Sequence, residues 1–203
     1  VEGFYVALVP STIIPMKLYF NISDLVICII NVLFFFSLGL GNLLVPQLSK
    51  RFQRKQILII AFIVKIPATI IFILSSMFEL FAASYIIIGL SLGMIVPIVM
   101  SVTTEYMPIK NRAFTITLVW IFFPVAQFTI AGVISLIMPN LESEMLGYLY
   151  LTGALICILS FFISILMYKE SPRNLINLQH FDEAFELIET MLNKKLSEDD
   201  MKV

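Results

Sequence analysis

Charge is scarce in this sequence. Asp, Glu, Lys and Arg together make up 13% of its 203 residues, against about a quarter in an ordinary soluble domain. A chain of this size folded in water would still leave roughly a quarter to a third of its surface wet, and there are too few polar side chains to cover it. Soluble globular classes are excluded, and so is disorder, which needs low hydrophobicity and high net charge. The net charge is −1, so no basic surface asks for nucleic acid. Histidine occurs once, as His180, with no serine or cysteine nucleophile pattern around it, and an enzyme has no catalytic set to work with. Cys28 and Cys157 both fall inside apolar runs and read as small buried hydrophobes, not as ligands or a disulfide. No spacing supports a metal site, and no cofactor is implied. The opening Val1-Glu2-Gly3 has neither a methionine nor the basic start of a signal peptide, so the chain is expected to begin part-way through something larger.

What the sequence has in abundance is apolar residues, at 60% of the total with a mean hydropathy of +0.99. A membrane span needs about 20 mostly apolar residues to cross roughly 30 Å of hydrocarbon. Five stretches qualify, at 25–48, 56–78, 80–104, 113–138 and 146–168, and a sixth at 3–16 is too short and looks like the outer end of a truncated helix. All are expected to be helices, because open strand edges find no partners in lipid and the alternation of a barrel is missing. The fold class is an all-α membrane bundle. Residues 1–168 form the six-span bundle and residues 169–203 a cytoplasmic segment.

Lys and Arg set the orientation. Lys50, Arg51, Arg54, Lys55, Lys110, Arg112, Lys169 and Arg173 lie on one side, and Lys17 alone on the other, so the side with eight bases is cytoplasmic. Asn21-Ile22-Ser23 matches the N-glycosylation acceptor pattern on the outer side, within a hairpin too short to favour modification. Past Lys169, Ser171-Pro172 offers a helix start. Phe181, Ala184, Phe185, Ile188, Met191 and Leu192 then recur at helical spacing opposite Asp182, Glu183, Glu186 and Glu189. An acidic face is repelled by the anionic inner leaflet, so this amphipathic helix is expected to dock on the basic loops of its own protein. Ser197 with Glu198, Asp199 and Asp200 reads as the start of another helix.

Three stretches sit at the cytoplasmic ends of the even spans: Leu48-Ser49-Lys50-Arg51-Phe52-Gln53-Arg54-Lys55, Glu105-Tyr106-Met107-Pro108-Ile109-Lys110-Asn111-Arg112, and Glu170-Ser171-Pro172-Arg173. Together they bring bases and carboxylates into one inner layer, where a half-desolvated ion-pair lattice can be made and broken as water enters. The three stretches resemble the major facilitator superfamily, in its branch of sugar porters, organic-ion transporters and synaptic-vesicle-glycoprotein-like proteins. The resemblance implies the N-terminal six-helix half of that fold plus the start of its central loop. It is carried most specifically by Glu170-Ser171-Pro172-Arg173 followed by Phe181-Asp182-Glu183-Ala184, and by Glu105, Pro108 and Arg112. The loop after span two departs from the family signature: Lys50 stands where the family has aspartate, Gln53 where it has its second glycine, and Pro46 at its opening glycine. That aspartate normally helps hold the outward-facing state, and lysine reverses the sign of the interaction. An arginine common in span four falls at Tyr85, which weakens proton coupling through that position.

Polar groups inside hydrocarbon are costly and often mark a pathway. In the resembled fold spans one, two, four and five line the cavity, so Asn31, Gln127 and the single tryptophan, Trp120, are the candidate solute contacts, with Asn42, Thr103 and Thr104 also polar within spans. An amide in a span also serves as interhelical glue. Lys65 falls near the middle of span three with no carboxylate inside any span to meet it. That span is peripheral in the resembled fold, and a structural or partner-facing role suits it as well as a binding one. Gly89, Gly93, Pro97 and Pro124 read as close-packing and bending points. Lys50, Arg51, Arg54, Lys55, Glu105, Arg112, Glu170 and Arg173 are the candidate gate. The expected function is secondary transport of a small organic solute, a sugar or organic ion, in the plasma membrane, an endomembrane or another organelle membrane. The second wall would come from a missing C-terminal half or a partner membrane subunit. A transporter-like structural subunit of a larger complex is the alternative that Lys50 and Gln53 motivate.

Overall fold

A computed structural model describes residues 2–75, 77–106, 110–137, 146–167, 175–176, 179 and 181–192. Among these the regular structure is helical: α1 Glu2–Ser11, α2 Ile13–Phe20, α3 Asp24–Leu48, α4 Arg54–Leu74, α5 Phe78–Tyr106, α6 Arg112–Ile137, α7 Leu146–Met167 and α8 Phe181–Leu192. Helices α3 to α7 are each long and apolar enough to cross a membrane, and their limits follow the apolar runs closely. Helix α4 starts at Arg54, two residues before its apolar run. The Gln53 N–H donates to Gln56 Oε1 at 3.2 Å, which satisfies a main-chain donor that the helix leaves open at its start.

The first span differs most from its expected limits. Helix reaches Phe20 instead of ending near residue 16, and it is broken at Thr12, whose φ and ψ are −99° and 4°. Main-chain bonds from Thr12 N to Leu8 O at 3.1 Å and from Met16 N to Thr12 O at 3.0 Å carry the path across the break. Pro15 has no N–H to donate within the helix, and its ring crowds the carbonyl four residues back, which accounts for an irregularity at this place. The span ends where Asn21 turns left-handed at φ 50°, a conformation asparagine tolerates better than most residues. Lys17 then reaches Asp24 across the hairpin at 2.6 Å.

Helix α5 is the centre of the bundle, packed against α3, α4 and α6, while α1 lies along α6, and α7 along α4 and α6. The α3–α5 seam is closed by absent side chains. A Cβ on Gly93 would run into the Leu38 carbonyl oxygen, one on Gly41 into the Leu90 carbonyl oxygen, and one on Gly89 into Ser37 Oγ and the Phe34 main chain. Phe34, Ser37 and Gly41 recur at helical spacing along the buried side of α3. Small residues are what let membrane helices approach backbone to backbone, since lipid supplies no hydrophobic drive between them.

The outer half is held by rings. Phe72 of α4 stacks on Phe81 at 4.4 Å and on Tyr85 at 5.7 Å, and meets Tyr150 of α7 edge-on at 4.4 Å. Tyr85 continues to Phe34 of α3 at 4.8 Å, and Phe81 to Phe20 of α2 at 5.0 Å. One side chain thus joins three helices directly and two more at one remove. Phe72→Ala is expected to cost about 2–3 kcal/mol, less than in a soluble core because only packing and not transfer from water is lost. Thermal unfolding in a fixed detergent, against Phe72→Leu at less than about 1.5 kcal/mol, measures it.

Of the amphipathic segment, Ala184 is buried, as is Leu175 ahead of it, while Phe181, Asp182 and Glu186 are exposed. Phe181, expected on the buried face, stands at the first position of α8, where the chain is not yet packed. The boundary expected at residue 168 and the second helix start at Ser197 lie outside the described residues. Cys157 is buried as expected, but Cys28 is exposed. It lies on the side of α3 turned away from α5, where an apolar run meets the bilayer and not a core.

Candidate functional site

The inner layer forms around one ion pair. Because α4 is capped at Gln53, Arg54 is its first helical residue, and it faces Glu105 near the end of the antiparallel neighbour α5. Arg54 Nη1 and Glu105 Oε2 are 2.6 Å apart, with each side chain 14% exposed. Around this pair Lys55 is half-buried, whereas Lys50, Arg51 and Arg112 are exposed. Glu170 and Arg173, expected in the same layer, lie outside the described residues. Among the described residues the arrangement provides one nearly dry ion pair, with the exposed side chains of Lys50, Arg51 and Arg112 in the same layer of the sequence's inner loops.

Deeper in the bundle a cavity of about 190 Å³ opens between α1, α5 and α6, lined among others by Gly3, Val96, Met100, Trp120, Phe123 and Ala126. It is lined by apolar residue types, with Trp120 as the large ring and Phe123 5.9 Å from it. Gln127 follows Trp120 by seven residues, two helical turns, so both lie on one side of α6; Gln127 is half-buried. Helix α6 is also the least covered of the spans: 6% of its apolar window is buried, against 44% for α4 and α5.

The structure places the third candidate elsewhere. Asn31 Nδ2 donates to the Ile27 carbonyl at 3.0 Å, and its Oδ1 accepts from the Tyr85 hydroxyl at 3.1 Å. Its amide therefore bridges α3 and α5 beside the aromatic cluster, away from Trp120. Asn42, Thr103 and Thr104 bond to main-chain carbonyls of their own helices, at 3.2, 2.8 and 2.7 Å, as polar side chains in apolar helices commonly do. Lys65 is fully buried, its Nζ 4.4 Å from the centroid of the Tyr5 ring. Sequence reasoning missed Tyr5 and Tyr85, although each is a hydroxyl within an apolar run, which calls for a polar neighbour.

A profile of the Major Facilitator Superfamily matches residues 2–197. No curated protein matches the sequence. Among solved structures the chain is similar to the proton:xylose symporter XylE of the same superfamily, bound to 6-bromo-6-deoxy-D-glucose, with a TM-score of 0.81 at 16% identity. The match covers 94% of this chain and 46% of that one, so the chain spans about half the length of that symporter. At this identity the likeness is one of fold. A profile match over nearly the whole chain, on a bundle of five apolar spans and a broken sixth, shows that this multi-pass membrane protein belongs to the major facilitator superfamily.

Proposed function

We propose that the protein moves a small organic solute, a sugar or an organic ion, across its membrane by alternating access, with a second six-helix bundle forming the opposite wall of the pathway. The observation that carries this reading is α6. It bears Trp120 and Gln127 on one side, borders the cavity, and is 6% buried in its apolar window, so its exposed side is suited to face another bundle and a solute between them. Transporters commonly bind near the bilayer midplane between two such units, which then rock about the site. Trp120 offers an aromatic wall, Gln127 a hydrogen-bonding amide, and Asn31 holds the α3 wall through Tyr85. The Arg54–Glu105 pair serves as the cytoplasmic gate, together with Lys50, Arg51 and Lys55 next to Arg54, Arg112 at the start of α6, and Glu170 and Arg173 after the last span. The branch of sugar porters and organic-ion transporters is the part of the family whose motifs the sequence carries, and the plasma membrane or an endomembrane is the expected location.

Uptake into proteoliposomes tests the reading, with labelled D-glucose, tetraethylammonium and benzoate as probes of the three solute classes. One of them should accumulate, and Gln127→Ala should lower its uptake about tenfold, the factor for one lost hydrogen bond of about 1.4 kcal/mol. Uptake of none of the three, together with stable co-purification in a multisubunit assembly, would replace transport by a structural role. Lys50 in place of the family's aspartate is the feature that gives that second reading its weight.

A further inference from the structure

The cavity between α1, α5 and α6 is a slot, closed at one place and open at another. Helix α1 seals it at Gly3, where a Cβ would stand 2.5 Å from Phe123 O and 3.2 Å from the Ala126 Cβ, so the two helices are in direct contact there. Other lining residues stay open: Trp120 and Phe122 are 48% and 65% exposed. The slot also lies deep. Val96 is ten residues from the inner end of α5 and Trp120 eight from the start of α6, roughly 15 and 12 Å at 1.5 Å per residue, close to the middle of about 30 Å of hydrocarbon.

Size and lining chemistry together select what fits. The volume is about 190 Å³, somewhat above the roughly 150 Å³ of an apolar protein cavity that takes up benzene. Among the described residues its lining has no charged, hydroxyl or amide side chain, and the Trp120 indole N–H is its one strong side-chain hydrogen-bonding group. Polar side chains on adjoining turns do not change this. The Thr103 hydroxyl donates to the Val99 carbonyl at 2.8 Å, and Gln127 stands beyond the lining, half-buried, on the Trp120 side of α6. A sugar presents hydroxyls all round its ring, and each one that leaves water without a partner weakens binding about fivefold or more. An aromatic ring carries no such penalty and gains offset or edge contacts with Trp120 and Phe122. We infer that the slot takes an uncharged ring of about benzene size belonging to the solute, whose polar end extends past Trp120 toward Gln127 and the opposite wall. The inference rests on the transport reading above and narrows its solute to an organic molecule with an aromatic ring and a polar end, in place of a sugar.

Three matched pairs of compounds test it, each keeping a polar group and adding a ring: D-glucose with phenyl β-D-glucoside, tetramethylammonium with benzyltrimethylammonium, and acetate with phenylacetate. Apparent dissociation constants come from the rise in melting temperature with ligand concentration, measured on the protein purified whole from its own membrane. In at least one pair the ring-bearing member should bind at least about tenfold more tightly, as expected from taking a ring out of water. Val96→Phe places a protein ring in the slot and should cut that preference below about threefold. Val119→Phe does so from α6 and decides if Val96→Phe does not fold; if neither folds, the pairs decide on the parent alone. Equal binding within every pair, tighter binding of the ringless members, or a preference that persists in a folded variant overturns the inference. So does the absence of any binding, the result expected if a lipid tail fills the slot. Uptake of the same compounds into proteoliposomes separates the two readings. Ring-dependent binding with accumulation of none removes transport and leaves the slot, whereas accumulation of glucose as readily as of its phenyl glucoside keeps transport and removes the ring.

Discussion

Gly93→Ala is expected to destabilise the bundle by about 3 kcal/mol, at the upper end of what overpacking costs, and Gly93→Leu to prevent assembly. The atom in the way is the Leu38 carbonyl oxygen, with the Leu38 carbonyl carbon 2.8 Å from the new Cβ. Both belong to the backbone of a 25-residue helix, and no rotamer change can clear them. Relief requires α3 and α5 to separate, which also opens the contacts of Gly41 with Leu90 and of Gly89 with Phe34. Gly39 supplies the contrast on the same helix. A Cβ there meets nothing within 4 Å, so Gly39→Ala should be neutral or stabilising by up to about 1 kcal/mol through helix propensity. Thermal unfolding of both variants by size-exclusion chromatography separates packing from propensity, and equal melting temperatures would refute the seam.

Breaking the inner ion pair should have the second large effect. Glu105→Ala is expected to cost about 3 kcal/mol, the range found when one partner of a buried pair is removed. The 14% exposure of each side chain places the pair nearer that case than the surface one. Helix dipoles add to the asymmetry. Arg54 sits at the start of α4 and Glu105 next to the end of α5, so each charge is at the unfavourable end of its own helix. They compensate each other because the helices are antiparallel neighbours, and either alone is opposed by burial and by its dipole. The paired change Arg54→Met with Glu105→Met should therefore cost less than Glu105→Ala by itself, and the double-mutant cycle should show coupling of about 2 kcal/mol. Additive losses would mean that the 2.6 Å contact carries no energy of its own.

Both features left a mark in the sequence. The Gly89-to-Gly93 spacing and the inner layer of opposite charges were both legible, because each is a local pattern with one physical purpose. The partner of the glycine stripe was not. Nothing in the run from Phe34 to Gly41 says that its backbone, more than its side chains, is what α5 touches. The spans themselves were readable within a few residues, since the thickness of hydrocarbon fixes their length. The first span was not, because Pro15 and Lys17 dilute its apolar signal at the point where the helix bends and continues. Asn31 is a candidate solute contact by residue type and span; its engagement with Tyr85 depends on the rotation of two helices, which composition does not encode. Lys65 prompted a search for a carboxylate. The ring of Tyr5 is a partner without a charge, and no charge count finds it.

The glycine seam also has a consequence in time. Helix α3 ends at Leu48 and its partner α5 is complete only at Tyr106, so at 5–20 residues per second roughly 3 to 12 seconds of synthesis separate them. During that wait α3 has no α5 to receive its bare backbone stripe. Its asparagine amides have local partners that do not depend on α5: Asn31 bonds to Ile27 and Asn42 to Leu38, one turn back on the same helix. These short loops of hydrogen bonds let α3 enter lipid as a self-sufficient unit, and Asn31 turns its remaining oxygen to Tyr85 once α5 arrives.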